Sequence, residues 1–144
     1  MFEVSARLKV RPGELEGFKR QAAELLRQAK ENDTKILRYD WFLSTDGTEC
    51  EVREAYVDAA GLIEHNLHVL EAKKSLFEKY ASGHTMYFYG EPTPQLLALT
   101  EKLSPAVTFH WYSFYQGLGS EPGPEQNVSV ASASPSEPVH AGST

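Results

Sequence analysis

The sequence predicts an α+β fold: an antiparallel sheet with both main helices packed on one face. Two observations predict it. The spacing of apolar residues switches repeatedly between period two and a period of three to four. The elements so defined follow one another as strand, helix, strand, strand, helix, strand, and right-handed crossovers then put both helices on the same side.

Residues 2–10 alternate, with Phe2, Val4, Ala6, Leu8 and Val10 on one side and Glu3, Ser5, Arg7 and Lys9 on the other. That is a half-buried strand, broken by Arg11-Pro12-Gly13. In 14–31, Leu15, Phe18, Ala22, Leu25, Leu26 and Ala29 recur every three or four positions among charged residues, which predicts an amphipathic helix. Asn32-Asp33 ends it. Residues 36–43 form a second strand with large side chains on both faces. The Asp46-Gly47 loop turns it into a third strand, 49–56. Asp58 is a natural N-cap for a helix reaching about Tyr80, with a possible break near Asn66. Leu62, Leu67, Leu70, Phe77 and Tyr80 supply its apolar side, and Ser82-Gly83 stops it. Residues 85–89 are a fourth strand. Thr93-Pro94 opens a short helix that Ser104-Pro105 ends, and 106–116 form a last strand, aromatic on both faces.

The chain divides into a domain over 1–117 and a tail over 118–144. The tail lacks aromatic, Lys and Arg residues and is rich in Gly, Pro and Ser, the composition of a disordered segment. The whole is ordinary for one globular domain, with 144 residues, 41% apolar and 24% charged. A net charge of −6 argues against nucleic acid or an anionic membrane as partner. No apolar run approaches the roughly 20 residues of a membrane helix. The charged, alternating start argues against a signal peptide. The single cysteine, Cys50, excludes an internal disulfide and fits the cytoplasm.

Helices on one face leave the other bare, while the second, fourth and last strands carry aromatics on both sides. A monomer should not expose that much aromatic surface, so a homodimer packed sheet to sheet is expected. The last strand is the element expected to cross to the partner.

The stretches ARLKVRPGELEGF and LRYDWFLSTDGTECEVREAYVDAAGLIEH resemble the antibiotic biosynthesis monooxygenase-like family over roughly residues 2–116. The resemblance implies a ferredoxin-like dimeric α/β barrel. It also implies a cofactor-independent monooxygenase acting on a small aromatic or quinol. The alternative is a non-catalytic dimeric barrel that binds a small hydrophobic ligand or a partner protein, since fold does not fix function. The family's haem-degrading branch uses an Asn on the first strand, a Trp in the helix after the joint and a His further on. Ala6, His65 and Ser75 stand there, so that activity is not expected and no cofactor is implied.

The candidate site is the strand–helix joint, 49–68. His65 is the family-like histidine and the candidate base, since imidazole suits proton transfer near neutral pH. Glu54, among Cys50, Val52 and Tyr56 on its strand face, is the second catalytic candidate, with a raised pKa unless it pairs. A salt bridge to Arg7 or Arg38 is the plainer use of it. His68, one turn beyond His65, could share its helix face and is a further candidate to bind substrate. Two histidines without a third ligand make no metal site. Tyr39, Trp41, Tyr56, Tyr87, Trp111 and Tyr115 are candidates to stack on a flat ligand or to pack. Cys50 has no neighbour that would make it a thiolate, and reads as packing.

Overall fold

The computed structural model describes residues 1–119. The alternation in the first strand places it at the centre. β1 (Phe2–Val10) pairs antiparallel with both β3 (Glu49–Tyr56) and β4 (Ala81–Tyr89). β2 (Ile36–Leu43) pairs antiparallel with β3, and β5 (Val107–Tyr112) runs parallel to β4. The order β2-β3-β1-β4-β5 is the ferredoxin-like sheet with one added strand, and the sheet is open rather than closed into a barrel. α3 (Pro94–Leu103) carries the chain back along the sheet, the crossover that parallel neighbours require, and β5 pairs with β4 of its own chain.

Helices α1 (Leu15–Asn32) and α2 (Ala59–Lys79) cover one face. All five apolar residues of β1 are buried there, with Phe18, Leu25, Val69 and Leu76 of the helices against them. Asp58 caps α2 as expected, its carboxylate accepting from Gly61 N at 3.1 Å. Gly61 lets the helix start close to β3, because a Cβ there would stand 3.0 Å from Tyr56 Cβ.

Three local expectations are corrected. α2 runs without a break, and Leu67 is exposed; the inward stripe is Leu62, His65, Asn66, Val69, Ala72 and Leu76. Polar residues occupy inward positions, so counting apolar residues misplaces the stripe. Ser82-Gly83 does not stop α2, which ends at Lys79, but lies inside β4. Gly83 has a φ of +64°, where the register against β1 shifts. This bulge moves the inward positions from Ala81, opposite Val10, to Met86 and Phe88, opposite Ala6 and Val4. His84 is turned to the helix side with them, as bulges commonly re-aim a side chain. Finally, β5 ends at Tyr112 rather than at residue 116.

The uncovered face also differs from expectation. On β1, β3 and β2 it carries Glu3, Arg7, Glu51, Arg53, Arg38 and Asp40. Aromatic rings stand together only along β4–β5, where Tyr87 stacks on His110 at 4.8 Å and Tyr89 on Tyr112 at 5.6 Å. Trp41 and Trp111 belong to the helix side. The bare face is therefore a charged surface with an aromatic margin. The tail prediction falls almost wholly on residues 120–144, outside the described residues.

Candidate functional site

The joint between β3 and α2 is completed by a residue from elsewhere, Asp33. It is the C-cap of α1, in extended conformation, with its N–H on Ala29 O. The chain turns there, and the carboxylate passes under α2. Asp33 Oδ2 lies 2.6 Å from His65 Nδ1 and Asp33 Oδ1 lies 2.6 Å from His68 Nδ1. The Asp33 side chain is 1% exposed. Next to it Thr34 N donates to Glu64 Oε2 at 3.0 Å, so the loop is tied to α2 twice.

A carboxylate can only accept, so each neutral imidazole presents Nδ1–H to Asp33 and keeps its lone pair on Nε2. Burial pushes the Asp33 pKa up, but the hydrogen bonds and charge of His65 and His68 outweigh it and hold the carboxyl below the usual range. The stability this contributes is fully present above the ordinary aspartate range near pH 4. It is lost as pH falls through the lower folded value.

His65 is buried, and its ring stands edge-on to Tyr39 at 4.6 Å and near Tyr56 at 5.7 Å. Glu54 is buried on the same face. Tyr56 Oη donates to Glu54 Oε1 at 2.5 Å. Neither expected salt bridge forms: Arg7 lies 3.8 Å from Glu51, and Arg38 lies 3.9 Å from Glu3 and from Asp40, all on the opposite face. Strand alternation explains this, since Glu54 and the two arginines point to different sides. Burial pushes the Glu54 pKa up, opposed by His65, the Tyr56 hydrogen bond and Lys73.

His65, Glu54 and Tyr39 line one cavity with Asn66, Lys73 and His84. Met86, Phe88, Leu99, Leu103 and Phe109 close its apolar side. The cavity is about 40 Å³, room for about two or three waters. A ring needs more, and the side chains that must yield come partly from α3, which buries only Leu96 and Thr100.

The other candidates lie outside this space. Trp41 packs edge-on to Phe18 at 6.0 Å and helps line a separate groove. Trp111 packs on Phe88 at 4.7 Å, Tyr87 is on the uncovered face, and Tyr115 is exposed beyond β5. Tyr56 is fully buried, one layer behind Glu54. Cys50 is buried and its thiol is pushed up to about 12 by burial, an unreactive state. Among the described residues no group of three or more His, Cys, Asp or Glu is placed to hold a metal ion, and no helix is long and apolar enough to cross a membrane.

Sequence reasoning missed Asp33, Asn66, Lys73 and His84. Only His84 had a usable signal, a glycine one residue before it in a strand.

His84 stacks on Phe77 at 4.6 Å, and burial, then the nearby Lys73 charge, push its pKa down to about 3. An unfolded histidine takes up a proton near pH 6.5, so between pH 6.5 and about 3 the unfolded chain binds more protons. Stability should fall by up to about 1.4 kcal/mol for each pH unit in that window. His84→Leu should flatten the acid limb of denaturant-derived stability against pH. An unchanged limb would place the acid sensitivity elsewhere.

No protein-family profile and no curated protein matches the chain. Solved structures do. The chain is similar to MupZ from Pseudomonas fluorescens, with 22% identity and a TM-score of 0.63 over 83% of this chain and 93% of that one. It is similar to a proposed antibiotic biosynthesis monooxygenase from Nitrosomonas europaea, with 21% identity and a TM-score of 0.56 over 65% of this chain and 91% of that one. A further structure, described as an antibiotic biosynthesis monooxygenase, shares 18% identity at a TM-score of 0.57, over 65% of this chain and all of its own, 100%. With its βαββαβ core and open ferredoxin-like sheet, the chain has the fold of the antibiotic biosynthesis monooxygenase-like proteins.

Proposed function

We propose that the protein is a cofactor-independent monooxygenase-like enzyme acting on a small aromatic or quinol, with His65 as the base. The observation that carries the reading is the 2.6 Å bond from His65 Nδ1 to the buried Asp33 carboxylate, beside a cavity walled by Tyr39, Met86, Phe88 and Phe109. Asp33 fixes the tautomer and steadies the imidazolium after proton uptake, the role a buried carboxylate plays beside a general base. The substrate anion supplies the electrons: one atom of O2 enters the ring and the other leaves as water. The protein binds the ring, removes the proton and excludes water. Glu54 supports the site as a buried carboxyl, and Tyr39 is its stacking wall.

The protein acts as a homodimer in this reading, with Tyr87, Tyr89, Tyr112 and the exposed Phe42 at the contact, and it works in the cytoplasm. The test is oxygen uptake with a panel of hydroquinones and anthrones, wild type against His65→Ala. Uptake should be saturable and fall by about 10²–10⁴ in the variant. Equal rates would remove His65 from the chemistry. A co-purified aromatic ligand in native mass spectra, with no uptake on any panel member, would favour the binding-protein reading.

A further inference from the structure

The cavity beside His65 is closed, yet a much larger space lies directly behind one of its walls. An open groove of about 550 Å³ runs between α3 and β5, lined by Pro94, Leu97, Ala98, Glu101 and Ser104. Thr100 and Phe109 line both this groove and the cavity of about 40 Å³. These two side chains are therefore the partition between the two spaces. Small-molecule sites commonly hold about 300–1,000 Å³, a range the cavity reaches only by joining the groove.

The other walls are tied down. On the α2 side, His65 is bound to Asp33, and Asn66 Oδ1 accepts from Lys73 Nζ at 2.6 Å. On the sheet side, Glu54 holds Tyr56, and Met86 and Phe88 are buried. The side-chain hydrogen bonds of α3, by contrast, are local. Thr93 Oγ1 accepts from Leu96 N at 3.2 Å, and Thr100 Oγ1 donates to Leu97 O at 2.9 Å. Among the described residues none joins α3 to β5. Phe109 is partly buried, on an edge strand of 6 residues, tilted against Phe88 at 5.5 Å. A side chain on a strand has two common settings of its first torsion, so this ring can leave the partition while the backbone stays in place.

We infer that Phe109 is the gate between cavity and groove, and that the groove is an outer subsite for an uncharged apolar extension of the ligand, given the cavity as the ligand site proposed above. The class of extension follows from the lining. Pro94, Leu97, Ala98 and Phe109 offer apolar surface, and Glu101 is the one charged residue among those that line the groove. An anionic group there would meet like charge, while a hydrocarbon chain would leave water for apolar side chains. The groove is on the helix side of the sheet, away from the aromatic margin assigned to the homodimer, so assembly through that margin leaves it open.

The probes are 4-methyl-, 4-ethyl-, 4-propyl- and 4-butylphenol and 3-(4-hydroxyphenyl)propionate, bound to the full chain and followed by calorimetry. Each added methylene should tighten binding about two- to fourfold. The propionate should bind about tenfold more weakly than 4-butylphenol, because it meets Glu101 and loses the apolar gain. Ala98 is exposed and lines the groove but not the cavity. Ala98→Trp fills the groove, and should abolish the gain per methylene while leaving the affinity for 4-methylphenol within about twofold. Phe109→Ala removes the partition, and should raise the association rate of 4-butylphenol in stopped-flow fluorescence by about tenfold or more. Flat affinity along the alkyl series, an undiminished gain per methylene in Ala98→Trp, an unchanged association rate in Phe109→Ala, or a wild-type chain that binds none of the probes would overturn the gate and its subsite. The alkyl series and Ala98→Trp decide the matter even if Phe109→Ala does not fold. All of these are binding measurements. The expected series without oxygen uptake on any substrate would uphold the subsite and count against the monooxygenase, whereas flat affinity with uptake would remove the subsite alone.

Discussion

Asp33→Asn should lower oxygen uptake by about 10²–10⁴ while changing KM little. The size follows from what the carboxylate does. It accepts from His65 Nδ1 and His68 Nδ1, both at 2.6 Å, with a side chain 1% exposed. An asparagine amide can also donate, so it can turn His65 to the other tautomer and put the proton on Nε2, where a base needs a lone pair. It also removes the negative charge that stabilises the imidazolium. Two charge-assisted hydrogen bonds become neutral ones, so a loss of roughly 1–3 kcal/mol in folding stability should accompany the change. Steady-state kinetics alone would not separate a damaged fold from a wrong tautomer. Long-range ¹H–¹⁵N spectra do: His65 should show the Nδ1–H form in the wild type and a mixture in the variant. A wild-type spectrum dominated by Nε2–H, or a variant with undiminished turnover, would end the assignment.

Ending the chain before Pro105 should leave no soluble folded protein, whereas removing 118–144 should leave fold and assembly unchanged. β5 supplies Val107, Phe109 and Trp111 to the helix side of the sheet. Phe88, 1% exposed, packs on Phe109 at 5.5 Å and on Trp111 at 4.7 Å. Full burial of such a side chain contributes about 1.5–3 kcal/mol; with Val107 buried and Phe109 and Trp111 partly buried, the three together contribute on the order of 4 kcal/mol. That is a large fraction of the stability of a typical domain. The truncation would also expose the hydrogen-bonding edge of β4, a template for aggregation. Leu118, by contrast, is fully exposed. Sedimentation and circular dichroism of both truncations decide it. A well-folded soluble chain lacking β5 would show that β5 is not part of the core. A full-length chain that sediments as a monomer at micromolar concentration would refute the homodimer.

The large aromatics of β2 and β5 that the sequence suggested for the contact are divided between the two faces, and Trp41 and Trp111 lie under the helices. What remains outside is a charged centre flanked by Tyr87, Tyr89 and Tyr112. Association there would rest on charge pairing as well as apolar burial, and should weaken with added salt.

Local signals carried most of the architecture. Period two places Phe2–Val10 and Glu49–Tyr56 as strands, and Asp58 and Thr93 mark two helix starts by capping. These features act between neighbours in the chain, where steric and hydrogen-bond preferences are strong, so a sequence alone determines them. His65 and Glu54 were legible for the same reason, one on each side of a short turn. Asp33 was not. It reads as the end of a helix, and its carboxylate becomes a partner of His65 only because α1 and α2 pack side by side 32 residues apart. Lys73 and Asn66 look like solvent-facing residues until α2 is laid on the sheet, since an inward polar residue breaks the apolar period rather than extending it. The sequence by itself determined the order of elements, the helix side of the sheet and the residues of the joint. Tertiary packing alone decided which polar groups meet beneath α2, because desolvation and charge pairing depend on distances that no local spacing encodes.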